Sequence, residues 1–551
     1  MKPFPQFVIH RAKTLLACLS LPMALAAQNP PQTPQLRLST HLVQIGVIVR
    51  GSNGPVKNLT KDDFAVFDRG KPQTISVFSA ESIQASPQPA QPLPPDTYSD
   101  LAQFGANEPR SVTIVLLDNL NTLSGSSPVP YEDTPYWLED QALIAAKQHL
   151  IQFLTQMDPR DRIAIYGLSD KLHVLCDFTC GREQLLAVVR KYDATSVTQR
   201  DSAEPGPLHL PGQDPSDPHA FEADASLGAE ELAAMKNEDR AVATMAALSA
   251  IEAHVADIPG RKNLLWLTGN IPISGKAAAG VLSRGNIVAY PVDARGLLPR
   301  APLVNVGDVV DEDANAQGMG GAPPAQSSQP GGIEAMDEMA DDTGGHAFVN
   351  TNDLTAAIRS VVEDSAVTYT LGFYLDPHSV DGKFHKLRVE VKTPGLKVTY
   401  PDGYFAFKDT PATENESHGS FLAAIRSPLD ASAIPLAVKA DRAGQPPAQS
   451  LQILGSVGIG GLLLPEDGGV RRGTLNVYIV EQDAAGNVLQ QVNNRYNLKL
   501  TEQEYRAYLQ SGVRFRESIQ PKPGATVLRV LVQNPGTSEV GSVIIPLATI
   551  N

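Results

Sequence analysis

The stretch Val112-Thr113-Ile114-Val115-Leu116-Leu117-Asp118, followed by Asn119-Leu120-Asn121-Thr122, decides how this chain is read. Residues 112–117 have the composition of a strand, and the strand delivers an aspartate at its carboxyl end. In open α/β sheets that is the end outside which ligands bind. An aspartate there can also serve its own loop, by accepting backbone N–H bonds. Both roles are carried forward for Asp118.

Outward from this strand, Thr134-Pro135 reads as an N-cap followed by proline in the first helical turn. Leu143, Ile144, Leu150, Ile151 and Leu154 then form one apolar helical face. Residues 162–168 and 172–178 read as strands joined only by Ser169-Asp170-Lys171. A parallel crossover needs roughly a dozen residues or more, so this pair must be antiparallel. Helices are expected at 181–192 and 230–258, then strands at 264–267 and 287–292 with a short helix between them. Helix, short strand and helix follow at 333–343, 346–349 and 353–364. The order describes an α/β unit over 109–365 with a mainly parallel sheet and one antiparallel strand. Two insertions, 199–229 and 300–331, are rich in Pro, Gly, Asp and Ala and read as mobile.

The flanks read as β. Residues 28–81 hold alternating segments and turns at Gly51-Ser52-Asn53-Gly54 and Asp68-Arg69-Gly70-Lys71, and 366–408 hold further strands. The first segment is small for a core of its own, so the two are expected to pair. Residues 82–108 and 409–450 read as linkers from their Pro, Ala, Ser and Gln content, and 451–551 as a C-terminal all-β domain.

With 19% charged and 42% hydrophobic residues over 551 positions, the chain is globular and long enough for several domains. Residues 1–27 resemble a secretory signal: Arg11 and Lys13 precede an apolar run that closes at Ala24-Leu25-Ala26-Ala27, with cleavage near Ala26 or Ala27. Leu15-Leu16-Ala17-Cys18 offers a competing lipid-attachment pattern. Cleavage removes Lys2, Arg11 and Lys13 and no acid, taking the formal charge from −15 to −18. So acidic a chain, with no basic stripe, is not a nucleic acid binder. No later stretch approaches the roughly 18 apolar residues that span a bilayer. The exported form keeps Cys176 and Cys180, which suit a disulfide across a turn, with free thiols as the alternative. Zinc with His173 is disfavoured, because His173 and Cys176 point to opposite faces of a strand.

The ordered blocks Leu59–Asp68, Val115–Thr122, Asp158–Ala164, Pro259–Trp266, Asp342–Ala347, Tyr369–Tyr374, Gly382–Leu387 and Pro401–Tyr404 resemble the bacterial VWFA-related domain family of exported proteins. The resemblance covers roughly 36–407. It implies a von Willebrand A-like, doubly wound, mainly parallel sheet with one antiparallel strand, here flanked by β-sandwich-like domains. The family itself has no well-defined biochemical activity.

An intact A domain holds Mg²⁺ or Mn²⁺ with a D-x-S-x-S loop, a threonine from a second loop and an aspartate from a third. Here Asp118 and Thr122 match the ends of the first loop, but Leu120 stands at its centre. Thr195 or Thr198 is available for the second loop, while the third reads Leu267-Thr268-Gly269-Asn270 without an aspartate. Hard cations want oxygen ligands in number, so any Mg²⁺ or Mn²⁺ bound here would be weakly held. Asn119, Asn121 and Asn270 are candidate substitute oxygens and candidate binding residues. Gly269–Lys276 lacks phosphate-loop spacing, and Asp311, Asp313 and Asn315 lack the glycine and glutamate of a calcium loop. The expectation is an exported, non-enzymatic protein that engages a protein partner through the loops around Asp118, without a cofactor. Metal-dependent adhesion at the same place, and an envelope hydrolase or glycan binder in the C-terminal domain, are the rivals.

Overall fold

In the computed structural model the described residues are 41–52, 54–82, 93, 96–101, 111–122, 137–158, 161–192, 237–258, 260–294, 332–349, 355, 358–359, 361, 367–406, 412–444, 449–462 and 464–550. The leader 1–27, both insertions, Thr134-Pro135, Thr195 and Thr198 lie outside them. The described chain is a mixed α/β structure of five sheets, and one five-stranded sheet carries Asp118.

In space that sheet runs Ile287–Asp293, Lys262–Thr268, Ser111–Asp118, Asp161–Leu168, Leu172–Cys176. The first four strands are parallel. The last is antiparallel to Asp161–Leu168, as its three-residue link requires. Alternate side chains leave the sheet on opposite faces, and both faces are covered. Ile114, Leu116, Tyr166 and Trp266 pack under helical residues 237–254, Gly275–Arg284 and Ile333–Thr343. Val115, Leu117, Ile165 and Leu267 pack under Trp137–Gln156 and Arg182–Lys191, with Leu150 and Leu154 one helical turn apart on the buried side. The expected strand at 346–349 is reduced to a single parallel bridge, Val292 to Phe348. No helix among the described residues is long and apolar enough to cross a membrane.

Strands from both sides of this unit make the first flanking module. His41–Gly51 pairs antiparallel with Val367–Leu375, which also pairs with Val77–Ser82. Phe64–Asp68 pairs with Phe384–Val391 in a second sheet. The two sheets share a core of Ile45, Val47, Val66, Tyr369, Phe373 and Val389.

The C-terminal module is larger than composition suggested, and three expectations are overturned. The presumed linker 409–450 contains helix Glu414–Arg426 and strand Leu436–Ala443. Thr413 and Glu416 cap that helix reciprocally, and Phe421 and Ile425 bury its inner side. In the strand, Leu436, Val438 and Ala440 point inward while Ala437, Lys439 and Asp441 alternate with them. A Pro- and Ala-rich composition hid this period of two. The other presumed linker, 82–108, contributes strand Thr97–Ser99, paired with Leu436–Ala443. Nor is the module all β, since Thr501 caps a helix at Glu502–Ser511. Two sheets enclose its core, which includes Val438, Ile453, Ile479, Val530 and Ile545.

The central unit is joined to this module around His254. Its ring is 12% exposed and stacks on Phe178. Its Nε2 meets Asp177 Oδ2 at 3.2 Å and its Nδ1 meets the Asp430 carbonyl at 2.8 Å. Ser432 reinforces the contact by donating to the His254 carbonyl and through its backbone N–H to Ala253. Burial opposes the charged ring, but the hydrogen bond and charge of Asp177 and the Asp430 carbonyl outweigh it and hold the His254 pKa above the ordinary value. Asp177 is correspondingly lowered, since its bonds to His254, Phe178 and Tyr166 outweigh the effect of burial. Burial raises Asp430 to about 6, against the pull of Arg529 and His254.

A raised histidine favours the folded state most below its unfolded pKa of about 6.5, and the advantage is lost as pH rises through the folded value. Stability measured by urea denaturation is therefore expected to fall as pH rises above about 6.5 in the native chain. His254→Gln should flatten that segment of the profile. Equal slopes in the two proteins would show that His254 is not the group responsible.

Candidate functional site

The strand Ser111–Asp118 lies between Asp161–Leu168 and Lys262–Thr268, so the sheet grows outward from it in both directions. Its last residue stands where the chain order reverses, the usual crevice position in an open α/β sheet. In this chain the position is closed. Asp118 is 0% exposed. Its Oδ2 accepts hydrogen bonds from Trp266 Nε1 at 2.9 Å, Thr268 Oγ1 at 2.8 Å and Asn121 Nδ2 at 2.9 Å. Its Oδ1 accepts from the Asn121 backbone N–H at 3.0 Å.

The surrounding loops extend this arrangement. Asn121 Nδ2 also reaches Thr244 Oγ1, at 3.0 Å, in the helical stretch 237–254. The Thr122 hydroxyl donates to the Asp118 carbonyl and accepts from the Gly269 N–H at 3.0 Å. A side chain at 269 would meet Thr122 Cα at 3.0 Å, which is why the third loop can approach so closely only with glycine there. The Thr268 hydroxyl sits between Asp118 and the Asn270 carbonyl, 2.6 Å away. Leu120 packs against the core. Burial pushes the Asp118 carboxyl up, while the donors of Asn121, Trp266 and Thr268 pull it back toward ionisation.

Of the residues singled out in the sequence, Asp118, Asn121, Thr122 and Thr268-Gly269-Asn270 converge here. Asn119 is buried beside them, with its Oδ1 unbonded. Asn270 meets the Thr268 hydroxyl through its backbone N–H and carbonyl. Trp266 is the member that sequence reasoning missed. It was visible inside the Pro259–Trp266 block, but nothing in a linear pattern assigns an indole N–H to a carboxylate 148 positions away.

Other residues of the ordered blocks also converge on packing contacts. His385 is wholly buried, with Nδ1 3.2 Å from Asp68 Oδ1 and 3.1 Å from the Tyr404 hydroxyl, and Nε2 3.0 Å from Asp381 Oδ1. Hydrogen bonds from the Lys383 backbone, His385 and Arg69 hold the Asp381 pKa down to about 2. Arg261 donates to the Tyr290 hydroxyl and to the Gly344 carbonyl. Gly344 ends a helix at φ 79°, and a Cβ on Gly345 would fall 1.9 Å from the Ala289 carbonyl oxygen. Cys176 and Cys180 are joined by a disulfide with Cα atoms 6.0 Å apart. His173 turns instead to Asp170, at 3.2 Å. Lys276 pairs with Glu338 at 3.3 Å. Among the described residues no group of three or more His, Cys, Asp or Glu side chains is placed to hold a metal ion.

No family model and no curated protein matches the sequence. Solved structures to which it is similar include an aerotolerance-related membrane protein from Bacteroides fragilis carrying multiple mutations to serine. That match has 13% identity and a TM-score of 0.25, over 46% of this chain and 98% of that one. Proximal thread matrix protein 1 from the mussel byssus matches at 10% identity and a TM-score of 0.25, over 47% of this chain and 49% of that one. A structure of the mussel protein with a zinc-occupied MIDAS motif matches at 9% identity and a TM-score of 0.24, over 48% of this chain and 47% of that one. This chain thus spans about half the length of the mussel protein.

The hydrogen bonds of Asp118 carry a direct expectation. Asp118→Ala leaves the buried donors of Trp266 and Asn121 without a partner and should cost about 3 kcal/mol of unfolding free energy. Asp118→Asn keeps one acceptor but sets an amide N–H₂ against existing donors, for a loss of about 2 kcal/mol. Urea denaturation of the three proteins measures both, and losses below about 0.5 kcal/mol would remove Asp118 from the centre of the network.

Proposed function

We propose that this chain is an exported, non-enzymatic interaction protein whose central unit is a von Willebrand A-like scaffold working without a metal ion. The observation that carries the reading is the state of Asp118, the residue on which either a metal or a catalytic role at the sheet edge would depend. Its carboxylate accepts four hydrogen bonds from its own chain and has no exposed surface.

The donor set argues against Mg²⁺ or Mn²⁺. A hard cation would need the carboxylate oxygens together with neighbouring hydroxyl and carbonyl oxygens. Here the indole N–H of Trp266 and the two N–H groups of Asn121 point hydrogens at those oxygens, the reverse of what a cation requires. Leu120 supplies no ligand, and the third loop offers Asn270 where an aspartate would be needed. The residues present therefore do not fit the ion, and metal-dependent adhesion is the weaker reading.

Export rests on the leader-like residues 1–27, and the Cys176–Cys180 disulfide suits an oxidising compartment. Interaction as the role rests on the joining of the C-terminal module to an α/β unit whose motif residues are engaged in packing. The α/β unit then serves as a platform, and binding falls to surfaces.

Thermal melting of the exported form in EDTA and in about 5 mM Mg²⁺ or Mn²⁺ tests the metal-free reading. A site with Kd near 1 mM would contribute about 1 kcal/mol and move the melting point by a few degrees. The expected shift is under about 1 °C. A larger shift that Asp118→Ala abolishes would establish metal binding. Cell fractionation with mass analysis of the N-terminus tests export, and an unprocessed chain retained in the cytoplasm would overturn that part.

A further inference from the structure

The C-terminal module contains a sheet ordered Val513–Ile519, Ser450–Val457, Leu436–Ala443, Thr97–Ser99. Val513–Ile519 pairs with Ser450–Val457, from Val513 opposite Val457 to Ile519 opposite Leu451, and with no other strand among the described residues. Its outer side therefore presents a row of backbone N–H and C=O groups. Other edges of the module differ. Val540–Pro546 is covered by the Ser432 to Gly541 bridge and by the Ser542 N–H bonded to the Ala431 carbonyl at 2.7 Å. Thr97–Ser99 is only three residues long. Val488–Thr501 also pairs on one side only among the described residues, with Val470–Gln482, but its Arg495 guanidinium is turned back to Asn476.

The free edge has a specific charge. Arg514 and Arg516 stand exposed on its outer face, on either side of buried Phe515. Neither has an ion pair among the described residues, although the chain as a whole carries −15. Strand register places Arg516 opposite Leu454, Leu454 opposite Lys439, and Arg514 opposite Ser456. These side chains border a shallow depression of about 510 Å³. Lys439 is met by Asp441 at 3.1 Å, which leaves the two arginines as the uncompensated charges.

Two copies of this edge pairing with each other would bring like charges into cross-strand contact, which is destabilising. An extended chain with acids at alternate positions is in the opposite situation. Side chains of a strand repeat on one face every second residue, so its carboxylates fall at the same spacing as Arg514 and Arg516. Arginine and carboxylate can then form charge-assisted, bidentate pairs while the backbones complete the ladder. We propose that the free edge of Val513–Ile519 docks an extended acidic segment of a partner protein as an additional strand, with its carboxylates opposite Arg514 and Arg516. The site is separate from Asp118 and does not depend on whether that residue binds metal.

The probe is a labelled, N-acetylated peptide of alternating glutamate and valine, as long as the strand, titrated with the full-length chain at low salt and read by fluorescence anisotropy. Saturable binding is expected, with none for the lysine–valine counterpart. Arg514→Glu/Arg516→Glu should weaken it by about tenfold or more at an unchanged melting temperature. Arg514→Lys/Arg516→Lys keeps both charges but not the bidentate fork, and should bind more weakly than the native chain and more tightly than the reversed variant. N-methylation of one alternate set of peptide amides should abolish binding and methylation of the other set should not, because only one side of an added strand faces the edge. Absence of binding, equal tolerance of both methylation patterns, or full binding by the charge-reversed protein would overturn the proposal. So would binding of polygalacturonate in place of the peptide, since a polymer of charges without amides recognises no strand edge.

Discussion

A carboxylate shut away from water has to be given its hydrogen-bond donors by the protein, and much of the central unit follows from how this is done for Asp118. The four donors come from the neighbouring strand, through Trp266 and Thr268, and from the loop that follows the aspartate, through Asn121. Asn121 then reaches the covering helical stretch at Thr244, and Thr122 receives the third loop at Gly269. Desolvating an ionised group costs several kcal/mol, whereas each hydrogen bond returns about 1–3 kcal/mol. Only a nearly complete set makes the burial tolerable. That requirement locks loop, strand and helix together at the point where the sheet reverses direction.

The same economy of buried polar groups recurs inside the flanking module, inside the central unit and where the central unit meets the C-terminal module. His385 is fixed between Asp68, Asp381 and Tyr404, linking strands that are more than 300 positions apart in the chain. His254 spans Asp177 of the central unit and the Asp430 carbonyl of the C-terminal module. Arg261 joins Tyr290 to the glycine pair that ends a helix. His385, Arg261 and Gly344, which belong to the ordered blocks, serve as polar fittings inside their own units. A histidine between carboxylates is easily taken for chemistry, but one wholly enclosed by packing partners has no route to a substrate.

Alternation was a better guide to the flanks than composition. The strand Leu436–Ala443 follows a strict period of two, and Thr413 with Glu416 is a recognisable cap, yet a Pro-, Ala- and Ser-rich setting made 409–450 read as a linker. Thr97–Ser99 is a different case, because three residues carry too little pattern to announce a strand. It exists because Leu436–Ala443 offers it a partner.

By itself the sequence determined the run of strands and helices from Ser111 to Thr343, the antiparallel turn at Ser169-Asp170-Lys171, and the position of Asp118 at a strand's carboxyl end. These are local matters, set by periodicity, by link length and by residue type. That Leu120 and Asn270 stand in the loops beside Asp118 was legible in the same way, since residue type can be read one position at a time. Only the tertiary structure decided that the indole of Trp266 would close over Asp118, that residues near 45 would pair with residues near 371, and that Val513–Ile519 would pair on one side only among the described residues, with Arg514 and Arg516 exposed. The physical reason is the same in each case. Hydrogen bonding and burial are satisfied in space between residues far apart in the chain, and linear spacing holds no record of which partner each group will meet.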